Sequence, residues 1–181
     1  MWHLESIKIN NLFSHKDTQY DFMKNQCVMI FGNNLSDDGS DSNGSGKSVI
    51  LEAITLAFTG EVSREVDRSE FINDESDEAF VELNLSNKKG SVNSLSILRT
   101  VHRTKAEKII LMENGKRNEE MTSVREANGR IYELIGLTKF DLLNFFLIGQ
   151  EKRFSFLTCG DTEKKDIISR FSDTDFINQK I

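Results

Sequence analysis

The stretch Asn43-Gly44-Ser45-Gly46-Lys47-Ser48 decides how this chain is read. An apolar run, Val28-Met29-Ile30-Phe31-Gly32, precedes it, and an amphipathic run over residues 49–58 follows. Strand, glycine-rich loop and helix form the context in which a Gly-Lys-Ser match reads as a phosphate loop. Glycines let backbone N–H groups crowd around phosphate oxygens, and the helix N-terminus adds the positive end of a dipole. Asn43, Gly44, Ser45 and Gly46 are expected to cradle the phosphates. Lys47 is expected to reach the β- and γ-phosphates as a point charge, and the Ser48 hydroxyl to ligate Mg²⁺. The plain alternative is a Gly/Ser turn that happens to contain lysine, and the flanking pattern weighs against it.

One feature departs from the Walker pattern, which places a glycine at position 41 where this chain has Asp41. Gly32 ends the predicted strand, and ten residues, 33–42, separate it from Asn43. The expected repair is an insertion inside the loop, with Gly32 doing the first glycine's job. Asp37, Asp38 and Asp41 would repel a triphosphate, so the insertion should project away from it. A calcium loop of the EF-hand kind is rejected. Its register would put Gly39 and Ile50 at the first and twelfth ligand positions, where neither side chain can ligate.

The 181 residues suffice for one domain with a sizeable core. The net charge of −6 gives no global basic footprint for nucleic acid, so any DNA site must be local. No apolar run approaches a membrane span and no signal peptide opens the chain, so no membrane partner is expected. Cys27 and Cys159 are far apart and belong to no CxxC, which reads as two reduced thiols in a cytosolic protein. His3, His15 and His102 form no metal-ligand spacing with them.

Residues 3–10 alternate through Leu4, Ile7 and Ile9 and predict a strand, with a second over residues 18–22. A third, over residues 26–31, is continuously apolar, as for a strand buried on both faces. The helix over residues 46–58 lines up Ile50, Leu51, Ile54, Ala57 and Phe58 to pack under a sheet, with Glu52 facing out. Val81, Leu83 and Leu85 alternate with polar residues in a half-buried strand. Two more strands follow, over residues 92–103 and 107–113, and Asn114-Gly115 then predicts a hairpin turn. Six Lys/Arg between Arg99 and Arg117 offer a local positive patch, read first as a solvated hairpin face and second as a DNA-facing one. Ser123-x-x-Glu126 and Thr138-x-x-Asp141 match capping boxes, the second helix stopping at Gly149. Asp161 caps a last helix bearing Ile167, Ile168 and Phe171.

The segments IKINNLFSHKDTQYDF, IFG followed by NGSGKSVILEAITLAFTG, FINDESDEAFVELNLS, and FFLIGQEKRFSFL followed by KKDIISRF occur in an order that resembles the amino-terminal halves of SbcC-like ATPases. These are DNA double-strand-break repair ATPases related to structural maintenance of chromosomes (SMC) proteins. The resemblance covers nearly the whole chain. It implies an α/β fold: the amino-terminal lobe of an ABC/SMC-type P-loop NTPase, a mixed sheet with an antiparallel meander plus helices. Residues 1–172 would form the lobe, and residues 173–181 the start of a helical or coiled-coil extension.

In that family a carboxy-terminal half supplies the signature motif and Walker B, and two heads sandwich ATP. Carried over, residues 43–48 hold the phosphates of ATP. Ser48 ligates Mg²⁺, and Gln150 is the Q-loop residue that touches the metal or its water and reports nucleotide state. The implied partners are the carboxy-terminal half, a second head, a nuclease subunit and DNA, in the cytoplasm at the nucleoid. Many members carry an arginine reaching the nucleotide where this chain has Phe13, flanked by Ser14 and His15.

No Walker B and no signature motif is present. Ile109-Ile110-Leu111-Met112-Glu113 imitates Walker B but lacks its aspartate. The expectation is an ATPase only as part of a complete head, this chain alone being inactive. Alternatives are a RecF- or RecN-like or anti-phage defence ATPase, a self-contained P-loop kinase or GTPase, and a nucleotide-binding module without catalysis.

Overall fold

The computed structural model describes residues 1–22, 27–32, 45–148 and 160–171. The period-two patterns form six strands: β1 (Trp2–Leu12), β2 (His15–Asp21), β3 (Glu78–Asn87), β4 (Ser94–His102), β5 (Lys108–Glu113) and β6 (Lys116–Arg117). They make one sheet in the order β2-β1-β3-β4-β5-β6, with every pair antiparallel. The alternation predicted for Val81, Leu83 and Leu85 is seen, all three being buried on one face. The β5–β6 hairpin turns at Asn114 (φ 52°) and Gly115 (φ 75°). Two consecutive left-handed residues match the right-handed twist of the flanking strands, which is why Asn-Gly is favoured there.

The buried sheet face, with Ile7, Ile9, Val81, Leu83, Leu95, Ile97 and Val101, receives helix α1 (Lys47–Thr59). Helix α2 (Arg68–Phe71) follows α1, and α3 (Val124–Ile135) adds Ala127 and Ile131 to the same core. The capping boxes at Ser123/Glu126 and Thr138/Asp141 both form. The second opens α4 (Lys139–Asp141), which continues as a π-helical turn, Leu142–Phe146, instead of an α-helix running to Gly149. Asn144 Nδ2 donates to the Phe140 carbonyl at 2.9 Å, the acceptor an α-helix would keep for its own backbone. Gly149 itself lies outside the described residues. The last helix, α5 (Asp161–Phe171), stands where Asp161 predicts it.

Two expectations are corrected. Over the described residues 27–32, the third strand does not form. The segment keeps the alternation of an extended chain: Val28 and Ile30 are half-buried, while Met29 and Phe31 are 72% and 81% exposed. It is covered on one side only, and no described strand pairs with it. Second, Glu52 does not face out; it is 3% exposed. The loop after α1 folds back over the helix, and Ser63 donates to the Glu52 carboxylate from both its N–H and its hydroxyl, each at 2.6 Å. Arg64 Nε approaches the same carboxylate at 3.3 Å.

Glu52→Ala would leave the buried Ser63 N–H without its acceptor. The expected result is a loss of about 1–3 kcal/mol in unfolding free energy by chemical denaturation. An unchanged midpoint would show that the loop repacks at no cost.

Candidate nucleotide-binding site

Gly46 is the N-cap of α1 and adopts φ 79°, ψ 5°. A left-handed residue followed by the right-handed first turn of a helix directs successive backbone N–H groups into one concavity, a shape suited to an anion. At α3 and α4 the cap hydroxyl accepts from an amide of the first turn, and at α2 the Glu70 carboxylate accepts the Asp67 N–H. The α1 start has a glycine cap, no side-chain cap and no acidic residue in its first turn. Its first turn therefore presents amide donors and a positive dipole end and carries no acidic side chain of its own.

Gly32 lies against this turn. A Cβ placed on it would meet Ser45 Oγ at 1.7 Å and Lys47 Cγ at 3.0 Å, so only glycine fits there. Gly32 and the Ser45–Lys47 turn are thus in contact. Lys47 is half-buried, and its Nζ donates to Ser45 Oγ at 3.1 Å; Ser48 is exposed. An exposed hydroxyl on the first residue but one of the helix suits a metal ligand that must share the ion with a phosphate. Asn43, Gly44 and Gln150 lie outside the described residues, as does the 33–42 insertion.

One residue that the motif analysis did not assign touches the loop, and two more stand behind the turn that carries it. His15, at the start of β2, brings Nε2 to 3.1 Å from the Gly46 carbonyl oxygen. Arg64 stacks over Phe13, its guanidinium carbon 5.4 Å from the ring centre. Glu52 anchors that arginine from inside. The sequence named His15 only as a flank of Phe13 and assigned Arg64 no role, because the partners of each are remote in the chain.

The Walker B imitation has a different job. Arg130 donates to both oxygens of Glu113, at 3.0 and 2.8 Å, and holds its carboxyl below the usual range. β5 lies four strand spacings from β2, roughly 19 Å at about 4.8 Å each. Glu113 is therefore a structural tie to α3 rather than a base beside the phosphate loop. The basic patch also shrinks. Arg99 is wholly buried against Glu107, and the Arg103 guanidinium donates to the carbonyls of Ser69, Ile72, Asn73 and Ser76. Lys105, Lys108, Lys116 and Arg117 remain exposed, as expected of a solvated hairpin face.

Residues 6–180 match the family model described as AAA domain. The chain belongs to this family of SMC-like ATPases. Among solved structures, the AAA domain is similar to "Structure of the recombination mediator protein RecF-ATP in RecFOR pathway", with 21% identity and a TM-score of 0.48 over 65% of this chain and 28% of that one. It is also similar to "Structure of the recombination mediator protein RecF-ATPrS in RecFOR pathway", with 21% identity and a TM-score of 0.49 over 72% of this chain and 29% of that one. The chain thus spans less than a third of either structure's length. No curated protein matches it. Among the described residues no helix is long and apolar enough to cross a membrane.

Gly46→Ala would force a Cβ into a left-handed backbone and to 2.5 Å from His15 Nε2. Titration calorimetry with Mg-ATP should show affinity reduced about five- to thirtyfold, from steric strain on the order of 1–2 kcal/mol. Wild-type affinity in that variant would remove Gly46 from the site.

Proposed function

We propose that this AAA domain is the ATP-binding lobe of an SMC-type ATPase head, and that a carboxy-terminal half completes it. The observation that carries the proposal is the pairing of a ready phosphate loop with an unfinished edge. The loop has glycines at the points of closest approach, open amides and Lys47. Beside it, the run that leads into Gly32 keeps Met29 and Phe31 bare, as a strand does when its neighbour is supplied from elsewhere. Soluble domains seldom leave two large apolar side chains in line on one edge without a partner.

On this reading Lys47 and the α1 amides hold the phosphates, Ser48 ligates Mg²⁺ and Gln150 senses the metal. Bound Mg²⁺ would supply charge neutralisation between the phosphate oxygens. This chain's residues bind and orient the nucleotide. The aspartate and glutamate of Walker B and the signature motif would come from the other half, and from a second head across the nucleotide. Holding ATP without those groups stabilises ground state and transition state alike, so binding by the lobe alone does not lower the chemical barrier. The family resemblance extends the reading to DNA ends, a nuclease partner and the cytoplasm at the nucleoid. A RecF-like head is compatible with the same site. Residues 173–181 would begin the coil.

The test combines binding and turnover. The lobe should bind Mg-ATP, Lys47→Ala should abolish binding with an unchanged circular dichroism spectrum, and phosphate release should require the separately expressed carboxy-terminal half. Robust turnover by the lobe alone, lost in Lys47→Ala, would favour a self-contained P-loop enzyme instead.

A further inference from the structure

We infer that His15 is a positioning residue for the phosphate loop, its imidazole holding the Gly46 peptide in the conformation that gathers the α1 amides around a phosphate. The inference deepens the proposed function and rests on it.

The hydrogen bonds fix the direction of the contact. Nε2 of His15 lies 3.1 Å from the Gly46 carbonyl oxygen, and Nδ1 lies 2.9 Å from Thr18 Oγ1. A carbonyl oxygen only accepts, so Nε2 carries the hydrogen. In the neutral ring Nδ1 then accepts from the Thr18 hydroxyl, so the Gly46 carbonyl selects the tautomer and Thr18 orients the ring. The same Gly46 carbonyl accepts the Val49 N–H at 3.0 Å, so both of its acceptor directions are used.

Steric fit adds a second constraint. Glycine visits left- and right-handed φ about equally, so a loop that depends on a left-handed glycine needs something outside it to choose. Here the imidazole edge lies against the Gly46 α-carbon: a Cβ would meet Nε2 at 2.5 Å and Cδ2 at 3.1 Å. The ring fills the side where a turned-over peptide would have to move.

His15 is itself braced. It leaves a turn in which two non-glycine residues, Asn11 (φ 52°) and Phe13 (φ 48°), are left-handed. Such residues persist where their surroundings over-determine them. Phe13 N–H donates to Phe71 O at 2.7 Å, Asn73 N–H to Asn11 O at 2.8 Å, and Asn73 Nδ2 to Phe13 O at 2.9 Å. Arg103 in turn clamps the carbonyls of Ile72 and Asn73. A strained turn held from three sides aims one imidazole at one peptide. Ordering the loop before ligand arrives lowers the entropy cost of binding.

The experiment separates the two ring nitrogens. A glutamine amide nitrogen reaches about where Nε2 sits and an asparagine amide nitrogen about where Nδ1 sits. Mg-ATP binding to the 181-residue chain is measured by calorimetry for wild type, Lys47→Ala, His15→Gln, His15→Asn and Thr18→Val. His15→Asn should weaken binding about three- to tenfold, the value of one hydrogen bond, while His15→Gln stays within about twofold of wild type. Thr18→Val, which keeps the ring but loses the hydrogen bond that orients it, should fall between, and it decides the matter should His15→Asn not fold. Equal affinities for the Gln and Asn variants, or wild-type affinity in Thr18→Val where His15→Asn is not folded, would overturn the inference. Binding lost in Lys47→Ala but intact in His15→Asn overturns this inference alone; a wild type that binds no nucleotide overturns the proposed function with it.

Discussion

An α-helix cannot satisfy its own first N–H groups, and this chain depends on where it leaves them open. At α3 and α4 a hydroxyl side chain closes the end. At α1 the cap is a left-handed glycine, with no side-chain cap hydrogen bond and no acidic residue in the first turn. Such an end is useful only when it cannot move. The sheet supplies that rigidity: α1 buries Val49, Ile50, Ala53, Ile54, Leu56, Ala57 and Phe58 against β1, β3, β4 and α3. At roughly 1.5–3 kcal/mol for each large side chain, this burial far exceeds what a bound phosphate could distort.

Buried polar groups brace both ends of that helix. Glu52 ties its first turns to the returning loop through Ser63 and Arg64. Arg99 reaches through the core to the Ala57 carbonyl at 3.2 Å, to Asn128 at 2.6 Å and to Glu107. Burial pulls the Arg99 guanidinium below its ordinary value, and Glu107 opposes that pull. A buried arginine is costly to desolvate, so its retention makes sense as a way of fixing one arrangement of helix on sheet. The loop of residues 69–76, clamped by Arg103, carries the same order to the turn that presents His15.

Much of this was legible in the chain itself. Alternation at Leu83 and Leu85, Asn114-Gly115 and the boxes at Ser123 and Thr138 are local signals, and each formed where its pattern stood. Local signals fail where a distant segment decides. Glu52 looked like a solvent residue because its partners come from a loop eleven positions later. The Val28–Phe31 run looked like a strand buried on both faces, yet the described chain leaves one face of it bare. Glu113 imitated a catalytic base until Arg130 was seen to hold it. His15 stood in a segment that carries the family resemblance but had no role of its own there, because its partner is Gly46, thirty-one residues on.

The central claim is that the open end of α1 receives the phosphates of ATP. Hydrogen–deuterium exchange of the lobe with and without Mg-ATP tests it at the amides themselves. Protection should appear at Gly46, Lys47 and Ser48, with the β4–β5 hairpin unchanged. Exchange at those three amides that does not respond to saturating nucleotide would contradict it.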